Sequence, residues 1–143
     1  MQDLLNLLDP GQRVFVAGSS NEPSALLQAM AQLELPENLN FIQFPIPGLN
    51  AVDFTDWNPS TQLTTFFMTP TLAQADMARV HYLPMQMRAV FDYLNDNVDV
   101  CLLQLPMTVM GFCVSARMWI SQLRYLARLK SSLRNSIPLC VHP

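Results

Sequence analysis

Gly18-Ser19-Ser20-Asn21-Glu22-Pro23 combines residue types that could hold an anion or supply a nucleophile. It follows the apolar run Val14-Phe15-Val16-Ala17, so Gly18 stands at the end of an expected buried strand, where a missing side chain lets backbone close on a ligand. The amides opening a helix led by Pro23 would attract negative charge. Ser19, Ser20 and, further on, Cys113 are candidate nucleophiles, but no base can be assigned to any of them. The spacing matches none of the stronger motifs. Ser20 and Pro23 occupy the later glycine positions of G-x-G-x-x-G, the Gly-Lys pair of a phosphate loop is missing, and Glu22 replaces the second glycine of G-x-S-x-G. Gly18, Ser19, Ser20 and Asn21 are therefore candidate substrate-binding residues, no catalytic residue is assigned, and a plain glycine turn accounts for the same spacing. Glu22 is the one carboxylate on this loop, and capping a helix or facing solvent is its expected role. Glu34 and Glu37 are expected to be structural as well.

The second stretch of interest is Val98-Asp99-Val100-Cys101-Leu102-Leu103-Gln104-Leu105-Pro106, followed by a short apolar loop to Gly111-Phe112. A run this apolar, stopped by proline and released through glycine, reads as a strand buried on both faces. In open α/β sheets ligands bind at the carboxyl end of such a strand, which makes Gly111 a further candidate substrate-binding residue. Cys101, Cys113 and Cys140 are odd in number and lack C-x-x-C spacing, so buried free thiols in a reducing compartment are expected. His81 and His142 are far apart and have no cluster of ligating residues around them, and no metal is implied. The nine methionines suit core gaps.

Periodicity supplies the elements that would position these residues. A short helix over residues 3–8 sets Leu4, Leu5 and Leu8 on one side, and Asp9-Pro10-Gly11 ends it. A strand at 14–17 leads through the glycine loop into the helix from Pro23, with Leu26, Leu27, Met30 and Leu33 at helical spacing. Further strands are expected at 39–44, 62–68, 80–83, 98–105 and 139–141. Residues 45–60 are irregular, rich in Pro, Asn and Asp, with Phe54 and Trp57 as anchors. Helices are expected at 71–78, at 84–94 with Met87, Val90, Phe91 and Leu94 inward, and at 117–133. Strands alternating with helices predict an α/β domain of three layers, a mostly parallel sheet with helices on both faces. A closing strand without a following helix leaves one face short of cover, as in an incomplete domain.

Half of the 143 residues are hydrophobic and 13% are charged, which fits one well-buried domain over residues 1–143 and argues against disorder. Charge this thin suggests that another domain or subunit covers part of the exterior, and it leaves room for a homo-oligomer. All eleven acids lie at or before Asp99, and five of the eight basic residues fall between Arg117 and Arg134. That cluster is either an electropositive face for a phosphorylated ligand or acidic partner, or a solvated helix face. A pI near 5.1 without aromatic interleaving argues against nucleic acid as a partner. With neither a signal peptide nor an apolar run of about 18 residues, a cytoplasmic protein without membrane association is expected.

Three segments, taken in order, resemble the N-terminal domain of the acetyl-CoA hydrolase and transferase family, which includes the succinyl-CoA:acetate and 4-hydroxybutyrate CoA-transferases. They are Gly11-Gln-Arg-Val-Phe-Val-Ala-Gly18 with Pro23-Ser-Ala-Leu-Leu-Gln-Ala29, then Arg79-Val-His-Tyr82-Leu-Pro84, then the run from Val98 through Gly111-Phe-Cys-Val-Ser115. The resemblance implies one lobe of a two-domain enzyme acting on short-chain acyl-CoA and small carboxylates, with coenzyme A as part of the substrate and no tightly bound cofactor. In that family the acyl group passes to a glutamate, a glutamyl-CoA thioester forms, and a carboxylate or water resolves it. The glutamate and most CoA contacts belong to the C-terminal domain, so this lobe is expected to be inactive alone. By position, residues 18–21 and the loop around Gly111 would face the acyl or carboxylate end of the substrate. A non-catalytic α/β interaction or metabolite-binding module is the alternative. A sugar-phosphate isomerase-like enzyme is disfavoured because no acid–base pair is evident.

Overall fold

The computed structural model describes residues 8–104. Gly111, the helix expected at 117–133, the strand expected at 139–141, Cys113, Cys140, His142 and most of the expected helix at 3–8 lie outside the described residues. Five short strands, β1 (Arg13–Val16), β2 (Asn40–Gln43), β3 (Gln62–Thr65), β4 (Val80–Tyr82) and β5 (Val100–Leu102), form one sheet in the order β4-β3-β2-β1-β5. Every adjacent pair is parallel. Two α-helices accompany them, α1 (Ser24–Met30) and α2 (Met87–Asp96).

Strand alternation divides the apolar side chains between two faces. Val80, Leu63, Phe41, Val14 and Val100 are in register across all five strands, and they share one cluster with Leu27 and Met30 of α1. Phe15 and Ile42, one residue on, belong to the opposite cluster with Val90, Tyr93 and Leu94 of α2. The topology explains this division. From β1 to β4 the chain steps across the sheet in one direction, and the three connections bury Leu27, Phe54 and Leu72 on the same face. From β4 to β5 the direction reverses, and a right-handed crossover must then run over the other face, where α2 packs. The result is an α/β domain with helices on both faces of an all-parallel sheet.

Several boundaries differ from those expected. The strand expected to reach residue 68 stops at Thr65, whose Oγ1 donates to the Phe67 carbonyl at 2.7 Å and turns the backbone out of the ladder. Residues 71–78 contain only a 3-10 turn, Leu72–Gln74. The helix expected from Pro84 begins at Met87, because Leu83 and Met85 are held against the second cluster and Gln86 is still extended, with ψ 149°. Tyr93 rather than Phe91 joins Val90 and Leu94 inside, with its ring edge-on to Phe66 at 5.6 Å. In the irregular stretch, Phe54 stacks on Phe41 at 4.6 Å and Trp57 closes edge-on at 5.2 Å from Phe41, so both act as anchors.

Below the sheet, the amino ends of β1 and β5 are tied by Arg13 and Asp99. The Arg13 Nε and backbone N–H both donate to Asp99 Oδ2, at 3.0 and 2.8 Å, and Nη2 donates to Oδ1 at 3.0 Å. These hydrogen bonds hold the Asp99 carboxyl below its usual value, so the pair adds stability at neutral pH that is lost as pH falls through the carboxylate range. Both side chains are 37% exposed, and solvent screening reduces the effect. Asp99→Asn is expected to cost about 1 kcal/mol at pH 7. In urea denaturation the difference from the parent chain should shrink steadily on acidification; a constant difference would show that the charge is irrelevant.

Candidate functional site

Reversal of direction between β1 and β5 creates a switch point, and in open parallel sheets the crevice at the carboxyl ends of such strands is the usual ligand site. The loop after β1 lies there. Ala17 N–H donates to Leu102 O at 2.9 Å, and Gln104 N–H donates to Asn21 O at 3.0 Å, so this loop and the end of β5 are joined by backbone. Gly18, Ser19, Ser20 and Asn21 thus stand together at the switch point, with the last three in a 3-10 turn, Ser19–Asn21. Gly111 lies outside the described residues.

Gly18 is extended, at φ −92°, so its requirement is space rather than left-handed backbone. A Cβ there would run into the carbonyl oxygen of Phe44, 3.1 Å from that carbonyl carbon and 3.5 Å from Asn50 Oδ1. The loops after β1 and β2 therefore meet backbone to backbone. Ser19, in contrast, is left-handed at φ 58°, a conformation that strains a residue with a side chain. Asn50 holds it, with Oδ1 accepting the Ser19 N–H at 2.8 Å and Nδ2 reaching the Ser19 carbonyl at 3.4 Å. Since the Ser19 amide is committed to Asn50, it is not a donor for an incoming anion. α1 spans only seven residues and adds no more than a short amino terminus.

Glu22 departs from the expected capping or solvated role. It is 8% exposed, and its Oε2 accepts from Asn50 Nδ2 at 2.7 Å and from Gln43 Nε2 at 2.9 Å. Ser24 Oγ donates to Oε1 at 3.3 Å. Among the described residues the two ion pairs, Arg13–Asp99 and Arg79–Asp76, lie elsewhere, so this buried carboxylate is held by neutral donors. Gln43 and Asn50 were not evident from sequence. Gln43 ends a strand and Asn50 sits in a Pro- and Gly-rich turn, and neither matches a motif.

The loops leaving β2 and β3 carry the exposed apolar side chains Ile46, Leu49 and Phe67, and Tyr82 ends β4 along the same edge. None of the residues 44–50, 66–70 or 82–86 is charged. Among the described residues this edge offers fixed backbone, apolar surface and polar groups that are neutral apart from the buried Glu22, a setting suited to binding and orienting a small ligand. Among the described residues, no acid–base pair or activated nucleophile is assembled there. His81 lies on β4 with Nε2 3.3 Å from Gln62 Oε1, separated from β1 by two intervening strands. Cys101 packs against the α2-side cluster, and burial pushes its thiol up to about 12, which disfavours the thiolate form. No cluster of three metal-binding side chains occurs among the described residues. A shallow depression lined by Thr55, Asp56, Pro59, Asp76 and Arg79 is built around an arginine already bound to Asp76 at 2.8 Å and to the Thr55 carbonyl at 2.7 Å.

Fold and site together define an α/β domain with an open parallel sheet whose strand order reverses between β1 and β5. No family model, curated protein or solved structure matches the chain. Among the described residues no helix is long and apolar enough to cross a membrane.

Proposed function

We propose that this chain forms the N-terminal lobe of a short-chain acyl-CoA hydrolase or CoA-transferase, binding the acyl or carboxylate end of the substrate. The observation that carries the reading is the junction at the switch point, where Ala17 N–H donates to Leu102 O and Gln104 N–H donates to Asn21 O. Two of the three segments that resemble the acetyl-CoA hydrolase and transferase family meet there, at the edge where a parallel sheet binds ligands. Neutral polar groups beside Ile46 and Leu49 suit a short acyl group better than a highly charged one. In this reading the acyl-accepting glutamate and most CoA contacts come from a C-terminal domain, and the active cleft closes when that domain or a second subunit covers the edge.

A non-catalytic metabolite-binding module gains support from one feature. The only carboxylate on the loop, Glu22, is buried and already bonded to three neighbours. The two readings differ in ligand preference. Calorimetric titration of the chain is expected to show acetyl-CoA binding more tightly than free CoA, with no acetate released. Equal affinity for the two would remove the acyl end from this lobe, and acetate release by the chain alone would contradict a glutamate supplied from elsewhere.

A further inference from the structure

We propose that Asn50 and Glu22 form a latch that fixes the spacing between the loops after β1 and β2, with Asn50 as a positioning residue for the ligand-facing backbone of residues 18–21. The inference rests on the proposed function for what the backbone is positioned to bind, and on geometry for the latch itself. Asn50 is 3% exposed and its carboxamide is used to capacity. Oδ1 accepts from Ser19 N–H at 2.8 Å and from Ile46 N–H at 2.9 Å, one from each loop. Nδ2 donates to Glu22 Oε2 at 2.7 Å and approaches Ser19 O at 3.4 Å. One side chain thus grips both sides of the left-handed Ser19 peptide and ties it to the neighbouring strand's turn. Gly18 lies against the Phe44 carbonyl, so the two loops cannot come closer, while Asn50 keeps them from moving apart.

The chemistry of the latch requires one carboxamide and one carboxylate. Asn50→Asp keeps the acceptor for both backbone N–H groups but replaces the donor facing Glu22 with a second carboxylate, in a buried place without a cation among the described residues. Glu22→Gln alone is mild, because the introduced carbonyl still accepts from Gln43 and Asn50. Combined with Asn50→Asp, Glu22→Gln reverses the pair: the introduced amide donates to the introduced carboxylate, and Gln43 turns its carboxamide over so that its Oε1 accepts the second amide hydrogen.

The test is made on the full chain by amide hydrogen exchange at Ser19 and Ile46 and by acetyl-CoA titration. Asn50→Asp is expected to speed exchange at both amides and to weaken acetyl-CoA binding, each about tenfold. The double variant should restore both to within about threefold of the parent chain. If Asn50→Asp leaves exchange unchanged, or the double variant fails to recover or to fold, the latch is refuted. If exchange responds and is rescued while acetyl-CoA affinity stays constant, the positioning role is refuted. A parent chain that binds no acetyl-CoA overturns the proposed function and with it the positioning of that ligand, whereas the latch is still decided by exchange.

Discussion

Gly18→Val is expected to destabilise the domain by about 3 kcal/mol and to abolish acetyl-CoA binding. The first carbon of any side chain at this position meets the Phe44 carbonyl, which is main chain at the end of the central strand β2 and cannot rotate away. Relief requires moving the loop after β1 away from the loop after β2, which pulls Ser19 off Asn50. Gly48→Ala provides the comparison. At φ 82° with no atom within 4 Å, it should cost about 1 kcal/mol from backbone strain alone and leave binding intact. Urea denaturation and calorimetry of both variants distinguish close approach from flexibility; equal costs would show that the contact at Gly18 is easily relieved.

Phe41→Ala is the second change with a large expected effect, a loss of about 3–5 kcal/mol. Phe41 is fully buried in β2, stacked on Phe54 and edge-on to Trp57, so its removal opens a cavity under both aromatic anchors of the irregular segment. Domains of this size are stable by about 5–15 kcal/mol in total, and a loss on this scale should lower the thermal midpoint by more than about 10 °C. Phe67→Ala removes a ring of equal size that is 49% exposed and in edge contact with Phe44, and it should cost well under half as much. Comparable midpoints for the two variants would contradict a core centred on Phe41.

These two phenylalanines also show what the sequence carried. Phe41 sits in the stretch 39–44, whose length and turn-rich flanks mark a strand, and Phe54 stood out in a polar stretch as an anchor. The α/β class and the placement of residues 18–21 at a strand end were legible for the same reason, since both depend on local pattern. Strand order was not, because nothing local records that β5 returns beside β1. The environment of Glu22 was hidden in the same way. Its partners are 21 and 28 residues away, so a carboxylate that looked like a cap turned out to be buried between two loops. Helix starts failed where core contacts overrode a proline signal, as Leu83 and Met85 do after Pro84.

The most direct measurement of the proposed site is an NMR titration of the isotopically labelled chain with acetyl-CoA, read at the backbone amides. Among residues 8–104, the largest shifts should fall on Gly18, Ser19, Asn21, Glu22 and Gln104, where the loop after β1 meets the end of β5. Shifts centred instead on the depression around Arg79, or no saturable shift at the switch point, would contradict an acyl-binding site there.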